Sequence, residues 1–334
     1  MIGRRLPRFA EAEPSPRSLG ALLGIGLSTS FLGAIYLARL WFPPDRFALM
    51  SAISQLATNL ALAVMLIGLA VAGAIPALRA AMFGMAVGYV LLGIAMLLLV
   101  RRPTVIGEDG ATGAGILPQL RTVVQLWQFW LNTACFASVF GVLLAWNDLW
   151  GIMNQRAYGR SLEMATALTS TISIAAGVGG LILGWMSDRI GKRSLIVQLT
   201  IWPLTVVMAL VLFLPRLPTA GVFVMLFVFG LLLGSNILGF AQIGQHPPES
   251  VQATAFGLMT SVGFLTGSAL DYLIGALVGE APPLGTGVAL EHYRQAFIPL
   301  LVVLGVGAVC AIALKDHPRA AAVATAESPP AQSA

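Results

Sequence analysis

The sequence predicts an all-α polytopic membrane protein, and three observations predict it. Of 334 residues, 57% are apolar and 10% are charged, against about a quarter charged in a soluble domain. The mean hydropathy is +0.87. The apolar residues gather into nine runs, at 18–41, 46–74, 77–100, 121–147, 160–185, 194–214, 218–243, 249–279 and 292–314. Roughly 20 apolar residues cross a bilayer. A crossing backbone must satisfy its own hydrogen bonds, so each run is read as a helix. No strand-like alternation and no soluble domain stand out.

Taken in order, residues 1–17 form an Arg- and Pro-rich tail. The apolar run after it is too long for a signal-peptide core and lacks a clear cleavage site. The second run opens on Phe42-Pro43-Pro44-Asp45-Arg46. Proline fits the first turn of a helix and a carboxylate suits the positive end of its dipole, so a helix start is expected there. Gln55 and Asn59 lie one turn apart on that helix. The third run ends at Arg102-Pro103, and residues 101–120 are a linker.

The fourth run is bracketed by Trp127, Trp130, Trp146 and Trp150, which suit an interfacial belt or packing better than a substrate platform. Gln125, Gln128 and Asn132 recur at helical spacing and so share one face, with Asn132 near mid-membrane. A short charged hairpin, Gly184–Arg193, joins the fifth and sixth runs. The seventh carries Ser235 and Asn236 in its middle part. The eighth opens on Pro247-Pro248-Glu249 and holds Asp271, the one acidic residue well inside a run, followed by Tyr272. After the ninth, residues 315–334 are rich in Ala, Pro and Ser and read as disordered. The pairs Gly180/Gly184, Gly230/Gly234 and Gly263/Gly267 have the spacing that lets helices approach closely.

Several function classes are disfavoured. The net charge of +5 comes from Lys and Arg scattered among the loops, facing lipid headgroups, with no basic cluster beside stacking aromatics. Nucleic acid is therefore not an expected partner; the lipid bilayer is. Cys135 and Cys310 lie inside runs and read as small packing residues. His246, His292 and His317 fall near run ends. No metal-ligand spacing, nucleophile triad or Gly-rich phosphate loop appears, so neither an enzyme nor a bound cofactor is expected.

The hairpin carries the most information. It reads Gly184-Trp-Met-Ser-Asp188-Arg189-Ile-Gly191-Lys192-Arg193: Gly, three residues, Asp-Arg, one residue, Gly, two basic residues. This order resembles the cytoplasmic loop signature of the major facilitator superfamily of secondary transporters. The chain also repeats itself. Phe42-Pro43-Pro44-Asp45 is echoed by His246-Pro247-Pro248-Glu249, and the stretch from Arg79 to Arg102-Pro103 by that from Arg294 to His317-Pro318. Parallel six-helix halves leave this kind of weak symmetry. On the superfamily pattern, 121–314 is a complete C-terminal half of six helices. Residues 18–100 match the last three helices of an N-terminal half, whose start projects to roughly 80 residues before Met1. The resemblance thus covers nearly the whole chain and implies an MFS-like bundle of about nine helices.

Charge placement fits that orientation. The loops expected to be cytoplasmic hold Arg39, Arg46, Arg101, Arg102, Arg121, Arg189, Lys192, Arg193, Lys315 and Arg319. The opposite loops hold Arg79, Arg156, Arg160, Arg216 and Arg294. Arg4, Arg5, Arg8 and Arg17 break the rule. Either the chain start is shifted or the first run is inverted or inserts poorly; a shifted start is the preferred expectation.

The resemblance implies roles for residues. Gly184, Asp188, Arg189, Gly191, Lys192 and Arg193 would form a cytoplasmic gating motif. Asp188 would contact the start of the helix opened by Asp45 and Arg46, bracing the inward-closed state; the alternative is a mere topological stop signal. Gln128, Asn132, Asn236 and Asp271, with Gln55 and Asn59 from the other side, would line a central cavity. Asp271 would hold a cationic group or a proton, or else sit passively near the outer helix end. No Gly-Pro-rich antiporter signature lies in 46–74, and no basic residue inside a run would clamp an anion.

The expected function is secondary transport of a small organic solute by alternating access, with or without a coupled proton or ion, in a bacterial inner membrane. The alternative is a truncated, transport-incompetent fragment or a membrane accessory protein. Substrate, direction and oligomeric state are not readable from the sequence.

Overall fold

A computed structural model describes residues 47–72, 115–214, 218–243, 247–248, 251–279 and 287–316, with short stretches between 83 and 98. The run expected at 18–41 and most of that at 77–100 lie outside these residues. The described chain has no strand.

The first helix, α1, spans Phe47–Ala72. A short α2 (Ile116–Val124) precedes α3 (Trp127–Ala145). This helix continues through a π-helical turn at Trp146–Trp150 into α4 (Gly151–Ala157). Then come α5 (Leu162–Ile190) and α6 (Arg193–Phe213). α7 (Thr219–Leu233) passes through a 3-10 turn, Gly234–Asn236, into α8 (Ile237–Ile243). The last three are α9 (Gln252–Val278), α10 (Gly287–Ala296) and α11 (Ile298–Ile312). Among the described residues six segments are long and apolar enough to cross a membrane: Trp127–Asp148, Leu162–Ile190, Arg193–Phe213, Thr219–Ile243, Gln252–Val278 and Leu290–Ile312.

Local chemistry explains the boundaries. Ser161 caps α5, its Oγ accepting from Met164 N at 3.2 Å, and Glu163 sits in the positive first turn. The helix ends where Gly191 turns left-handed at φ 73°, its N–H donating to Ser187 O. A side chain there would be strained, so glycine is the natural stop.

The fourth run differs from expectation. Membrane-length helix begins at Trp127 rather than at 121, because the chain bends at Leu126, which is extended. Residues 116–124 form the separate α2, starting inside the stretch read as linker. The Trp130 indole holds the bend by donating to Val124 O at 2.8 Å, satisfying a carbonyl the helix leaves open. Gln125 therefore lies in the bend and does not share a face of α3.

α1 packs mainly on α5 and also meets α8; α9 and α11 flank α3, and α7 lies on α5. At the α1–α5 seam a Cβ on Gly177 would stand 2.5 Å from Leu56 Cδ1 and 3.1 Å from Leu56 Cα, so any larger residue would have to turn the Leu56 side chain aside and part the helices by a few tenths of an ångström. The core is aromatic. Trp146 is fully buried, edge-on to Phe229 and beside Phe297. Phe136 stacks on Phe140 and meets Phe240 edge-on. Trp127, by contrast, is 69% exposed.

Candidate functional site

The charged hairpin stands where α5 hands over to α6. Gly184 is buried in the last turns of α5. One turn on, Asp188 faces away from its own helix. Its Oδ2 accepts from the backbone N–H of Leu49, in the first turn of α1, at 3.4 Å. The first N–H groups of a helix have no partner within it, and they carry the positive end of the dipole. A carboxylate placed there is stabilised twice. Its Oδ1 pairs with Arg193 Nη2 at 3.5 Å, both side chains being nearly buried. Arg193 Nη1 donates to Ala241 O in α8. One arginine thus ties the hairpin to α8, and one aspartate ties it to α1.

The other members of the motif stand apart. Arg189 lies over the Trp185 ring, 5.2 Å from its centroid, and is exposed, as is Lys192. Asp45 and Arg46 lie outside the described residues; the described group on α1 is the Leu49 amide.

Among the described residues, the predicted cavity residues are found at several places. Asn132 and Asn236 come together beside a small cavity lined also by Cys135, Phe136, Val139, Val197, Ile201, Ser235 and Gly239. Both are 2% exposed. Asn132 Nδ2 donates to Gly239 O at 2.9 Å, just past the 3-10 turn, while its Oδ1 and both amide atoms of Asn236 have no protein partner. Buried amides without partners are uncommon and mark a place where water or a ligand would be held. Asn132 is the sixth residue of its span, not its middle, because the helix starts late. Gln55 and Asn59 are buried on α1, 8% and 3% exposed, and Asn59 Nδ2 is unpartnered. They do not line that cavity.

Gln128 is placed elsewhere. Its Nε2 donates to Ala313 O at 3.2 Å and its Oε1 accepts from Lys315 N at 3.1 Å. It caps the end of α11, since the late start of α3 puts it in the first turn beside that helix end.

Asp271 faces Asp148 and the Trp150 indole near the end of the bundle opposite the hairpin. Its Oδ1 is buried without a partner. Asp148 was not legible as a neighbour, because the π-helical turn Trp146–Trp150 re-aims the residues after Ala145. At the same end Tyr158 hydroxyl lies 3.3 Å from the carbonyls of Val211 and Leu212, and Arg294 donates to Leu214 O at 3.0 Å. Arg160 donates to Gln155 Oε1 at 2.8 Å; burial pulls its guanidinium pKa down from the ordinary value, with Tyr158 opposing. No group of three metal-ligating side chains occurs among the described residues.

The sequence also has known kin. The sequence model described as Major Facilitator Superfamily matches residues 18–270. A "Probable nitrate/nitrite transporter NarK2" of Mycobacterium tuberculosis, found in two strains, is 28% identical over 163 residues, 48% of this chain and 40% of the relative. A "Gentisate transporter" of Corynebacterium glutamicum is 28% identical over 153 residues, 45% of this chain and 34% of the relative. The match thus spans less than half the length of each curated relative.

Proposed function

From the premise that the chain belongs to the major facilitator superfamily, we propose that it is part or all of a secondary transporter that moves a small organic solute by alternating access. The observation that carries the reading is the bond from Leu49 N to Asp188, made while Asp188 is paired with Arg193. It joins α1 to the six-helix bundle at one membrane face, and such a contact can be made in one rocking state and lost in the other. The hairpin face is the cytoplasmic one, and the membrane is a bacterial plasma membrane. Residues 18–100 and 121–314 are the two moving parts. Asp188 and Arg193 brace the state closed to the cytoplasm.

Asn132 and Asn236 offer unpaired amide dipoles to a solute or its water, and Asn59 offers another from α1. Asp271 with Asp148 is the acidic place where a coupled cation or proton would act. Gentisate, the organic solute named for one relative, is the first of the small organic solutes to screen.

The test is uptake by vesicles containing the full chain. Saturable, gradient-dependent entry of one such solute, reduced in Asp188→Asn, is the expected result. Absence of uptake, with a second membrane protein co-purifying in fixed ratio, would overturn it in favour of an accessory role.

A further inference from the structure

The N-terminus of α6 lacks a cap of its own. Lys192, the residue at the cap position, makes no side-chain capping bond. The cap comes instead from the far end of the described chain. Asp316, 122 residues away, accepts from Ser194 N at 2.8 Å through Oδ1 and from Ser194 Oγ at 2.6 Å through Oδ2. This is the chemistry of an N-cap aspartate, with the carboxylate on the positive end of the helix dipole, supplied in trans along the chain.

Asp316 is itself held in place. Lys315 N donates to Gln128 Oε1 at 3.1 Å, and Gln242 Nε2 donates to Lys315 O at 3.2 Å. Gln198 Nε2 donates to Ala311 O at 2.8 Å. Two helices, α3 and α8, therefore fix Lys315 beside Asp316, and α6 itself holds the last turn of α11 before it, so the carboxylate is aimed at Ser194.

Ser194 directly follows Arg193. The cap fixes the backbone of the arginine whose guanidinium reaches Asp188 and Ala241 O. We infer that Asp316 is a positioning residue for the cytoplasmic brace: it pins the start of α6 so that Arg193 stays within reach of Asp188. The inference rests on the reading of Asp188 and Arg193 as that brace. Asp316 acts through Arg193.

The experiment uses the full chain in inside-out vesicles, with Cys135→Ala and Cys310→Ala to remove native thiols and Ala52→Cys as reporter. Ala52 is fully buried on α1, close to Leu49. A membrane-impermeant maleimide should reach it when the cytoplasmic face opens. Asp188→Asn should speed labelling most. Asp316→Ala should speed it by roughly fivefold, the shift expected from losing an N-cap. Asp316→Asn keeps an acceptor for Ser194 N and should stay nearer the parent. The double variant should label no faster than Asp188→Asn alone, because both changes loosen one element.

Faster labelling with Asp188→Asn but not with Asp316→Ala would overturn the positioning role and leave the brace standing. Additive effects in the double variant would also overturn it, assigning Asp316 a merely structural part. No change with Asp188→Asn would overturn the brace reading itself, and the positioning role with it. Should Asp316→Ala fail to fold, Ser194→Ala removes only the 2.6 Å bond, and the same comparison with Asp188→Asn decides.

Discussion

The two ends of the six-helix bundle differ in their ties: both have donors on carbonyls at helix ends, and the hairpin end adds carboxylates on helix starts. At the hairpin end, carboxylates hold the N–H groups at helix starts: Asp188 on α1 and Asp316 on α6. At the far end, a phenol and a cation hold carbonyls at a helix end: Tyr158 and Arg294 on the last turn of α6 and Leu214. Each pairing matches the sign of the helix dipole it meets. The more telling difference is which parts are joined. The Asp188 bond runs between α1 and the bundle, whereas these far-end ties stay within the bundle. The first kind can hold two moving parts shut; the second can only stiffen one of them.

Variants that act on the two ends should therefore separate. The largest effect is expected from Asp188→Asn. It strips the charge from a hydrogen bond of the class that contributes about 1.5–3 kcal/mol and leaves Arg193 nearly buried with only part of its neutralisation. Transport should fall at least about tenfold, measured as initial uptake, with the cytoplasmic face more accessible to impermeant reagents. A second large effect should come from Gly177→Val. The added carbons would meet Leu56, which lies on α1, and overpacking a close seam is unfavourable by about 1–3 kcal/mol. The variant should shift conformational exchange, read by the same labelling. If it altered only thermal stability, the α1–α5 seam would not be the moving one.

A third change sharpens the comparison from the far end. Asp271→Asn should uncouple uptake from its driving gradient while leaving hairpin-face labelling at the parent rate. Gradient dependence is read by collapsing the proton or ion gradient with an ionophore. Loss of labelling control instead would mean that the two ends communicate through α9, and the split between them would have to be redrawn.

Much of this was visible in the residues. The hairpin was legible because Gly191, Asp188 and Arg193 are special types at fixed spacing, and physics leaves such a stretch few uses between two apolar runs. The six membrane-length helices among the described residues were legible from composition alone, to within a few residues at most ends. What failed was register. A bend at Leu126 and a π-helical turn at Trp146–Trp150 shift every later side chain around its helix, and apolar periodicity inside a membrane is too weak to reveal either. Gln125 was thus put on a helix that does not contain it, Asn132 was put too deep, and Asp148 was not linked to Asp271. Asp316 escaped for another reason. Its partner is 122 residues away, and a lone acid after the last run carries no local pattern. Its one signal was that it stands beside Lys315, where the chain leaves the membrane.

Gln128→Leu gives the smallest effect and the clearest decision about a single residue. A glutamine facing the solute would alter uptake affinity when replaced. The glutamine seen here bonds Ala313 O and Lys315 N, at an exposed helix end where water can substitute. Losing it should lower thermal stability by at most about 1 kcal/mol and leave the KM for solute unchanged. It should also speed hairpin-face labelling slightly, because Lys315 is the residue before Asp316 and its peptide would be held on one side only. Tyr158→Phe serves as the matched far-end variant: it removes one hydroxyl from similar carbonyl caps, should cause a similar loss of stability, and should leave labelling untouched. An equal rise in labelling from both would mean that the cytoplasmic face responds to bundle stability in general. A rise from Gln128→Leu alone would place the last helix end in the brace.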